Sequence, residues 1–458
     1  RIKSNADFVV AGRSLGTWIL AATLAATEIG GGSSLGVVQQ GMEGFGIRSA
    51  WYVVAVGVSY ALLAFWAPTA RRDNVKTTPE FFRRRYGDAS GAIQAVLIIL
   101  SLLGDAVAQY VVSGTIISVM LNIDFQMGLI ISAVVVTTYS VLGGLWSISA
   151  TDFVQMFLIF AGMAIVVPHA MQLAGGWSNV VAAVPAETLV FYQDGDLLYV
   201  VSLIVMFTTS LSSTQLTVSR FFAAKNPRAA RQGTLLTAGI VLLFALMPAV
   251  LGVIMLALVR TGRFDAQSFA NMGTRYALPM LAVEYMPPVV AGLLLTGVLA
   301  ATMSTIDSPL LVCGTVFGVD IYKKYVRTNA SDKQVLGMVK TVMIAVSILC
   351  FILSLFNTQG ILQLIRFSYT LKAATAFVPY IAGHYWKRAS QPGAIASMLG
   401  GAFTVLLCDV FYPGITTIHT IFPSIAVSGV CFVLFSLLMP PSRVAGPEAG
   451  GERPADDG

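Results

Sequence analysis

The chain has 458 residues, of which 56% are hydrophobic and 11% are charged, and its mean hydropathy is +0.78. A soluble domain carries about 25% charged residues, so this composition excludes a soluble protein and indicates a multi-pass membrane protein. The net charge of +6 does not indicate nucleic-acid binding, because the basic residues lie in loops next to the predicted membrane.

Twelve apolar spans are predicted along the chain, at 14–40, 47–70, 91–121, 124–143, 150–172, 197–222, 232–259, 288–322, 335–356, 361–385, 392–411 and 418–439. With the N-terminus inside, 22 of the 28 Lys and Arg residues fall in inside segments and four in outside segments. Arg220 is counted among the inside ones, whereas Arg366 and Lys372 lie within the tenth span. This bias predicts that both ends are cytoplasmic, in a multi-pass protein of the cell membrane.

The first span contains a predicted helix break. Residues 21–36 read AATLAATEIGGGSSLG, with three consecutive glycines directly after Glu28 and Ile29. Each interior Gly costs a helix about 1 kcal/mol relative to Ala. Irregular backbone at membrane depth is tolerated only where it is buried in protein or lines a cavity. The break therefore points to a transport site, with free carbonyls at Ala25 to Ile29.

A second predicted break lies in the sixth span, where the seven residues 208–214 carry six hydroxyl groups. The two weak helices are five spans apart, and an odd offset inverts the second half in the membrane. We therefore predict an all-α membrane protein that is an inverted repeat of two five-helix units, 14–172 and 197–385. Two extra helices at 392–439 complete a single transporter domain, and the polar tail 440–458 is expected to be disordered.

The eighth span holds a third polar segment, AATMSTIDSP at 300–309. Ala301, Ser304 and Thr305 are spaced i, i+3 and i+4, so they share one helix face. Pro309 has no N–H, which frees the carbonyl of Thr305. Clustered oxygens in a dry place suit a hard cation. The alternative is that small polar residues only let helices pack closely, which is also the interpretation of Gly292 and Gly297.

Several ionisable residues fall inside predicted spans, where charge is rare and usually functional. Glu28, Asp105 and Lys372 lie near mid-span, and three interpretations stay open: mutual pairing, substrate contact and proton coupling. The predicted substrate cavity lies beside the first break, against spans three, six and ten. Its candidate residues are Thr27, Glu28, Gly30, Asp105, Gln109, Thr208, Thr209, Ser212 and Lys372.

Three further residues are candidates for gating or ion exit. Asp152 opens the predicted fifth span, where helix N-capping is the alternative explanation. Asp307 is close to the polar face of the eighth span, and the alternative is a carboxylate facing water in the inner vestibule. Arg366 lies about two turns into the tenth span.

The chain resembles the sodium/solute symporter family over nearly its whole length. The resemblance is carried by ADFVVAGRSLG at 6–16, YSVLGG at 139–144 with TDFVQ at 151–155, SRFFAAKNPRAAR at 219–231, and LAATMSTIDS at 299–308 with VFGVDIYKKY at 316–325. It implies a five-plus-five inverted repeat with broken helices one and six. Two departures, Glu28 inside the first break and Pro309 where a glutamine is common, bear on the ion selectivity.

The resemblance also implies a sodium site between helices one and eight. Carried over by position, it uses the backbone carbonyls of Ala26, Ile29 and Ala301 and the hydroxyls of Ser304 and Thr305. The implied function is sodium-coupled symport of a small organic solute by alternating access, with sodium as coupling ion and no organic cofactor. An amino acid or carboxylate is the favoured substrate, and the expected partners are the substrate and membrane lipid, without nucleic acid or an obligate protein partner.

Two alternatives to sodium symport stay open. The first is a proton-coupled or sodium-independent transporter of the same fold. The second is a sensory membrane module of a larger signalling protein, because related domains are joined to signalling domains. An enzyme is not expected, since the sequence has no metal motif, nucleophile elbow or phosphate loop.

Overall fold

The computed structural model describes residues 13–73, 75–142, 145–265, 267, 273–357, 360–413, 415–416 and 418–439, without the side chains of 145–151. Arg1, Lys3 and the tail 440–458 lie outside these residues. The described part is helical, and its one β-type pairing is an isolated bridge between Leu15 and Ala224. Ten of its helices are long and apolar enough to cross a membrane.

Helices or helix pairs occupy all twelve predicted intervals. The first half is α1 (Thr17–Glu28), α2 (residues 32–45, α-helical at Val37–Gln40 between the π-helical turns Gly32–Gly36 and Gly41–Phe45), α3 (Trp51–Arg72), α4 (Thr78–Tyr86), α5 (Asp88–Leu121), α6 (Phe125–Leu142), α7 (Leu145–Leu173) and α8 (Trp177–Ala183). The second half is α9 (Asp196–Ser213), α10 (Gln215–Ala223), α11 (Pro227–Arg260), α12 (Ala277–Tyr285), α13 (Pro288–Thr315, continued as a π-helix over Val316–Val326), α14 (Asp332–Leu355), α15 (Ile361–Tyr385), α16 (Gln391–Leu406, continued as a π-helix over Leu407–Phe411) and α17 (Ile421–Leu438).

Polar caps start several of the helices at the basic end of the bundle. The Thr77 hydroxyl accepts a hydrogen bond from the Glu80 N–H, and Asn226 caps α11 in the same way through the Ala229 N–H. Ser331 and Gln334 form a reciprocal capping box at the start of α14. These caps satisfy N–H groups that a helix start leaves without partners, so polar loop residues define the starts of α4, α11 and α14.

Both predicted helix breaks are confirmed. Helix α1 ends at Glu28, and Ile29 leaves helical geometry with φ −89° and ψ 81°. Helix α9 ends at Ser213, and Thr214 has the extended values φ −70° and ψ 138° before α10 begins. The two broken elements are also joined directly, because the Leu15 N–H donates to the Ala223 carbonyl at 3.0 Å.

The bundle is packed around these broken elements. Helix α11 packs on α1 and α3, α13 packs on α7 and α5, and α15 packs on α5 and α9, while α16 and α17 pack on each other and on α15. The long helices therefore form walls around α1, α2, α9 and α10. This arrangement buries the irregular backbone inside protein, as hydrocarbon surroundings require.

Candidate functional site

The break after α1 is stabilised by the serines that follow the glycines. The Gly30 N–H donates to Ser33 Oγ at 3.0 Å, and Ser34 Oγ donates to the Gly30 carbonyl at 2.6 Å. The Gly31 N–H donates to Gln109 Oε1 of α5 at 2.9 Å. Side chains thus supply the bonds that an unbroken helix would have made internally.

The three glycines are needed because three different helices approach this backbone. A Cβ at Gly30 would overlap Thr305 of α13, and one at Gly32 would overlap Ile365 of α15. A Cβ at Gly31 would lie 2.8 Å from Gln109 Oε1. Glycine here provides the close approach as well as the helix break, and the sequence indicated only the break.

A closed cavity of about 10 Å³ lies beside the break, which is room for about one water molecule. Its lining includes Thr27, Glu28, Asp105 and Gln109, four of the predicted cavity residues. The other lining residues are Gly32, Ser33, Tyr52, Val56, Thr305, Ile365 and Tyr369. No sequence signal pointed to Tyr52 and Val56 of α3. Ile365 and Tyr369 are spaced i, i+4 on α15, one turn from the predicted Lys372.

The carboxylates around this cavity have different partners. Asp105 accepts a hydrogen bond from Lys372 Nζ at 2.9 Å in a buried ion pair, as the pairing hypothesis proposed. Glu28 accepts hydrogen bonds from Tyr369 at 2.7 Å and from Tyr60 at 3.2 Å. The Lys372 ammonium also lies 4.2 Å from the centre of the Tyr369 ring. One ion pair, one acceptor carboxylate and a cation-binding ring therefore meet at the break.

The predicted sodium ligands of α1 and α13 face each other. Thr305 Oγ1 donates to the Ala301 carbonyl at 2.8 Å and lies 3.4 Å from the Ala26 carbonyl. Two oxygens at right angles around a cation, each about 2.4 Å from it, are about 3.4 Å apart. The Ile29 N–H donates to the Ala25 carbonyl at 2.8 Å, so Ile29 lies directly at the end of α1.

Ser304 connects this oxygen cluster to a second cluster of polar residues. Its hydroxyl donates to Asp152 of α7, and Thr23 of α1 donates to the same carboxylate at 2.6 Å. A serine hydroxyl has one hydrogen and two lone pairs. Donation to Asp152 therefore leaves the Ser304 lone pairs free to bind a cation, and fixes their direction.

The second cluster is completed by Arg220, which the sequence analysis counted among the basic residues of the inside segments and which is buried in a helix rather than exposed in a loop. Arg220 lies in α10, and only 1% of its surface is exposed. Its guanidinium donates to Thr23 Oγ1 at 3.1 Å and to Ser308 Oγ at 2.8 Å, and lies 3.9 Å from the Asp152 carboxylate. This cluster ties α1, α7, α10 and α13 together, and we call Thr23, Asp152, Arg220, Ser304 and Ser308 the inner cluster.

Two alternative explanations of acidic residues are wrong. Asp152 does not cap a helix, because α7 begins at Leu145 and Asp152 lies in its second turn. Asp307 does not face a water-filled vestibule, because it is fully buried. Ser140 of α6 donates to Asp307 Oδ1, whereas Oδ2 has no hydrogen-bond partner among the described residues.

The hydroxyls of the second break do not line the central cavity. Thr208 donates to Ser59 of α3 at 2.9 Å. Thr209 donates to the Val205 carbonyl at 2.6 Å, and Ser212 to the Thr209 carbonyl at 2.9 Å. Because these hydroxyls are bonded within α9 and to α3, their side chains do not line the central cavity. The second break therefore changes the direction of the backbone there.

Arg366 belongs to a closure at the other end of the bundle. It donates to the Tyr199 hydroxyl of α9 at 2.8 Å, and the Tyr199 ring packs edge-on against Phe45 with 5.3 Å between ring centres. Arg48 lies over Phe45 and pairs with Asp196 at 3.1 Å. We call these five residues the outer closure, since they join α2, α9 and α15 above the central cavity.

Comparison with known proteins identifies the class of transporter. Residues 8–401 match the model of the Sodium:solute symporter family. The chain belongs to this family. It has the five-plus-five inverted repeat, and it is a sodium-coupled secondary active symporter of a small organic solute rather than an enzyme.

Individual relatives cover almost the whole chain. The osmoregulated proline transporter OpuE of Bacillus subtilis is 26% identical over 94% of this chain and 89% of its own length. The high affinity choline transporter 1 of Homo sapiens is 27% identical over 89% of this chain and 73% of its own length. The solved structure of a Na⁺-coupled sialic acid symporter in a substrate-bound outward-open state is similar in fold, with a TM-score of 0.80 at 16% identity over 96% of this chain and 93% of that one.

Proposed function

We propose that this symporter carries an amino acid, bound as a zwitterion in the central cavity. The observation that supports this is the lining of that cavity, where the Glu28 carboxylate lies beside the Asp105–Lys372 ion pair. The substrate carboxylate binds Lys372, and its ammonium lies between Glu28 and Asp105, so that neither carboxylate is left without a cation. Both charges of a zwitterion thereby find a partner in a site that excludes water, where an unpaired charge is costly.

Substrate entry requires the cavity to open, because about 10 Å³ does not hold an amino acid. The outer closure separates first, when Arg366 leaves Tyr199 and α15 moves away from α9. Tyr369 follows α15 and releases its hydrogen bond to Glu28. The same motion uncovers the carboxylate that binds the substrate.

The coupling sodium binds the carbonyls of Ala26, Ile29 and Ala301 and the hydroxyls of Ser304 and Thr305. These groups lie on α1 and α13, so the ion holds the two helices together and orders the break beside the substrate. Release requires the inner cluster to separate, which frees α1 and α10 from α7 and α13. One sodium charge moving through 100 mV supplies about 2.3 kcal/mol, enough for about 50-fold accumulation.

The orientation with both ends of the chain in the cytoplasm belongs to this proposal, as does the location in the cell membrane. It places the basic loops and the inner cluster on the cytoplasmic side, with the outer closure outside. Sodium and substrate then enter from outside and leave past Arg220. Asp307, beside Ser140, lies on the same helix as the sodium ligands and near their exit.

A quaternary ammonium compound is the second candidate substrate. The choline transporter is 27% identical to this chain and the proline transporter 26%, and the cavity lining includes the rings of Tyr52 and Tyr369 together with Glu28. Aromatic rings beside a carboxylate are a usual site for such cations. In this case Lys372 stays paired with Asp105 during transport.

Uptake into proteoliposomes distinguishes the two candidates. Labelled L-proline and labelled choline are offered with an inward sodium gradient, and potassium replaces sodium in the control. The double variant Asp105→Asn/Lys372→Met removes the ion pair without leaving one charge alone. We expect sodium-dependent proline uptake by the wild type and none by the double variant. Choline uptake that survives in the double variant, without proline uptake, contradicts the zwitterion proposal and supports the second candidate.

A further inference from the structure

A second and much larger cavity lies on the opposite face of α15, at the end of the bundle that carries the outer closure. Its volume is about 930 Å³, and α5, α14, α15 and the segment between α16 and α17 form its walls. Ile365 and Tyr369 face the central cavity, whereas Arg366, Phe367 and Thr370 line the large one. Residues on different faces of one helix serve different sites, so this side cavity is distinct from the substrate site.

Two buried polar groups of α15 beside this cavity have no hydrogen-bond partner among the described residues. Arg366 uses one terminal nitrogen on Tyr199, but its Nε is buried without a hydrogen-bond partner among the described residues. The hydroxyl of Thr370, one turn further along the same face, is likewise without a partner. Unpaired buried polar groups are rare and costly. Both groups can donate a hydrogen bond, and both residues line the cavity.

His419 adds a third donor to the lining. Its Nδ1 accepts the Ile421 N–H at 3.2 Å, so in the neutral ring the hydrogen is on Nε2. Burial and the nearby Arg366 lower the pKa of His419 to about 4, which keeps the ring neutral at pH 7. The carboxylate in the lining, Asp409, accepts the Thr420 hydroxyl at 2.5 Å.

The rest of the lining is mostly apolar. It includes Leu100, Leu103, Val107, Leu353, Phe356 and Ile418. A ligand pocket typically has a volume of about 300–1,000 Å³ and an apolar wall with a few convergent polar groups. A guanidinium N–H, a hydroxyl and an imidazole N–H are suitable donors for a carboxylate.

We propose that this side cavity is an accessory binding site for a monocarboxylate with an apolar body, separate from the transported substrate. The carboxylate binds Arg366 Nε and the Thr370 hydroxyl, with the His419 N–H beside them, and the body lies along α5 and α14. Because Arg366 also donates a hydrogen bond to the Tyr199 hydroxyl, a ligand bound in the side cavity lies next to the outer closure. The same chemistry is offered by water-soluble acids and by fatty acids dissolved in the bilayer.

Equilibrium dialysis of the full chain in detergent tests the site, with labelled benzoate as the water-soluble probe and labelled dodecanoate as the bilayer-derived one. Thr370→Val removes the unpaired hydroxyl. Thr375→Val is the matched control on the same helix, since Thr375 is equally buried but already donates to the Leu371 carbonyl at 2.8 Å. We expect Thr370→Val to weaken binding at least tenfold and Thr375→Val to leave it unchanged. Benzamide, which is uncharged, is expected not to compete.

Cys408 lines the same cavity and reports where the probe binds. Cys313 and Cys350 are fully buried, and Cys431→Ser removes the remaining thiol. A bound carboxylate is expected to slow methanethiosulfonate labelling of Cys408 in this background.

Equal binding by the two threonine variants, equal competition by benzamide, unprotected Cys408 or no binding of either probe at 10 mM overturns the proposal. Binding of dodecanoate alone supports it with the bilayer as the source. None of these results depends on sodium or on which solute is transported.

Discussion

The proposed sodium site is tested most directly at Thr305, by Thr305→Val. This substitution removes the hydroxyl that lies 3.4 Å from the Ala26 carbonyl and keeps the branched shape. The same helix offers a matched control, because Thr302 is equally buried and its hydroxyl donates only to the Val298 carbonyl at 2.7 Å. Thr302→Val therefore has the same cost of losing a hydroxyl within α13 and lies away from the proposed ion.

The expected effect follows from mass action. A ligand that binds only the folded state stabilises it by about 2.7 kcal/mol at 100 times its dissociation constant. If Thr305→Val weakens sodium binding tenfold, the stabilisation at the same concentration falls to about 1.4 kcal/mol. The assay is the thermal unfolding midpoint of detergent-purified protein, titrated with NaCl against KCl at constant ionic strength.

Wild type and Thr302→Val are expected to show the same sodium-specific rise in the midpoint, and Thr305→Val a clearly smaller one. A full sodium response in Thr305→Val refutes the placement of the ion between α1 and α13. A loss in both variants shows that the hydroxyls of α13 act on the fold and not on the ion.

Three more predictions concern the inner cluster, the packing of α13 and His419 in the segment between α16 and α17. Arg220→Met leaves Asp152 buried without its cation, so we expect the free energy of unfolding to fall by about 3–5 kcal/mol and uptake to stop. The double variant Arg220→Met/Asp152→Asn should regain stability. Equal stability of wild type and Arg220→Met in a denaturation experiment contradicts this prediction. Gly297→Ala places a Cβ 2.8 Å from the Leu158 carbonyl oxygen, whereas the Cβ of Gly292→Ala meets nothing within 4 Å. The thermal unfolding midpoint should therefore fall in Gly297→Ala and not in Gly292→Ala. Equal midpoints of the two variants refute the packing argument. Burial lowers the folded-state pKa of His419 to about 4, below its unfolded value. The free energy of unfolding therefore falls as the pH falls from about 6.5 to 4, by at most about 3 kcal/mol. His419→Gln should flatten this part of the pH profile of stability, and an unchanged profile contradicts the prediction.

The sequence predicted the helix breaks because their cause is local. Three consecutive glycines and a run of hydroxyl residues weaken a helix wherever they occur, and hydrocarbon admits such backbone only inside protein. The Asp105–Lys372 pair was among the alternatives for the same reason, since charges at that depth need partners. In each case, the membrane restricts the possible structures before any contact is known.

The sequence did not predict which side chains meet. Arg220 lies in a helix that begins after the second break, so a basic residue near the predicted end of a span looked like a loop cation. Its partners Thr23, Asp152 and Ser308 come from three other helices, and no spacing along the chain reports that distance. Gly292 was wrongly predicted to be a close-packing residue, since nothing lies within 4 Å of a Cβ built there. The sequence does not show whether another helix approaches a glycine in a membrane span.

The contacts of Ser304 link the sodium site to the inner cluster. Its hydroxyl donates to Asp152, and Thr305, whose hydroxyl lies 3.4 Å from the Ala26 carbonyl, is the next residue of α13. In the proposed mechanism, a sodium ion bound by the Ser304 oxygen favours the geometry in which Ser304 donates to Asp152. Ion binding and closure of the inner cluster would then stabilise each other through a single hydroxyl. Opening the inner end would break the bond to Asp152 and so weaken the proposed ion site at the moment of release.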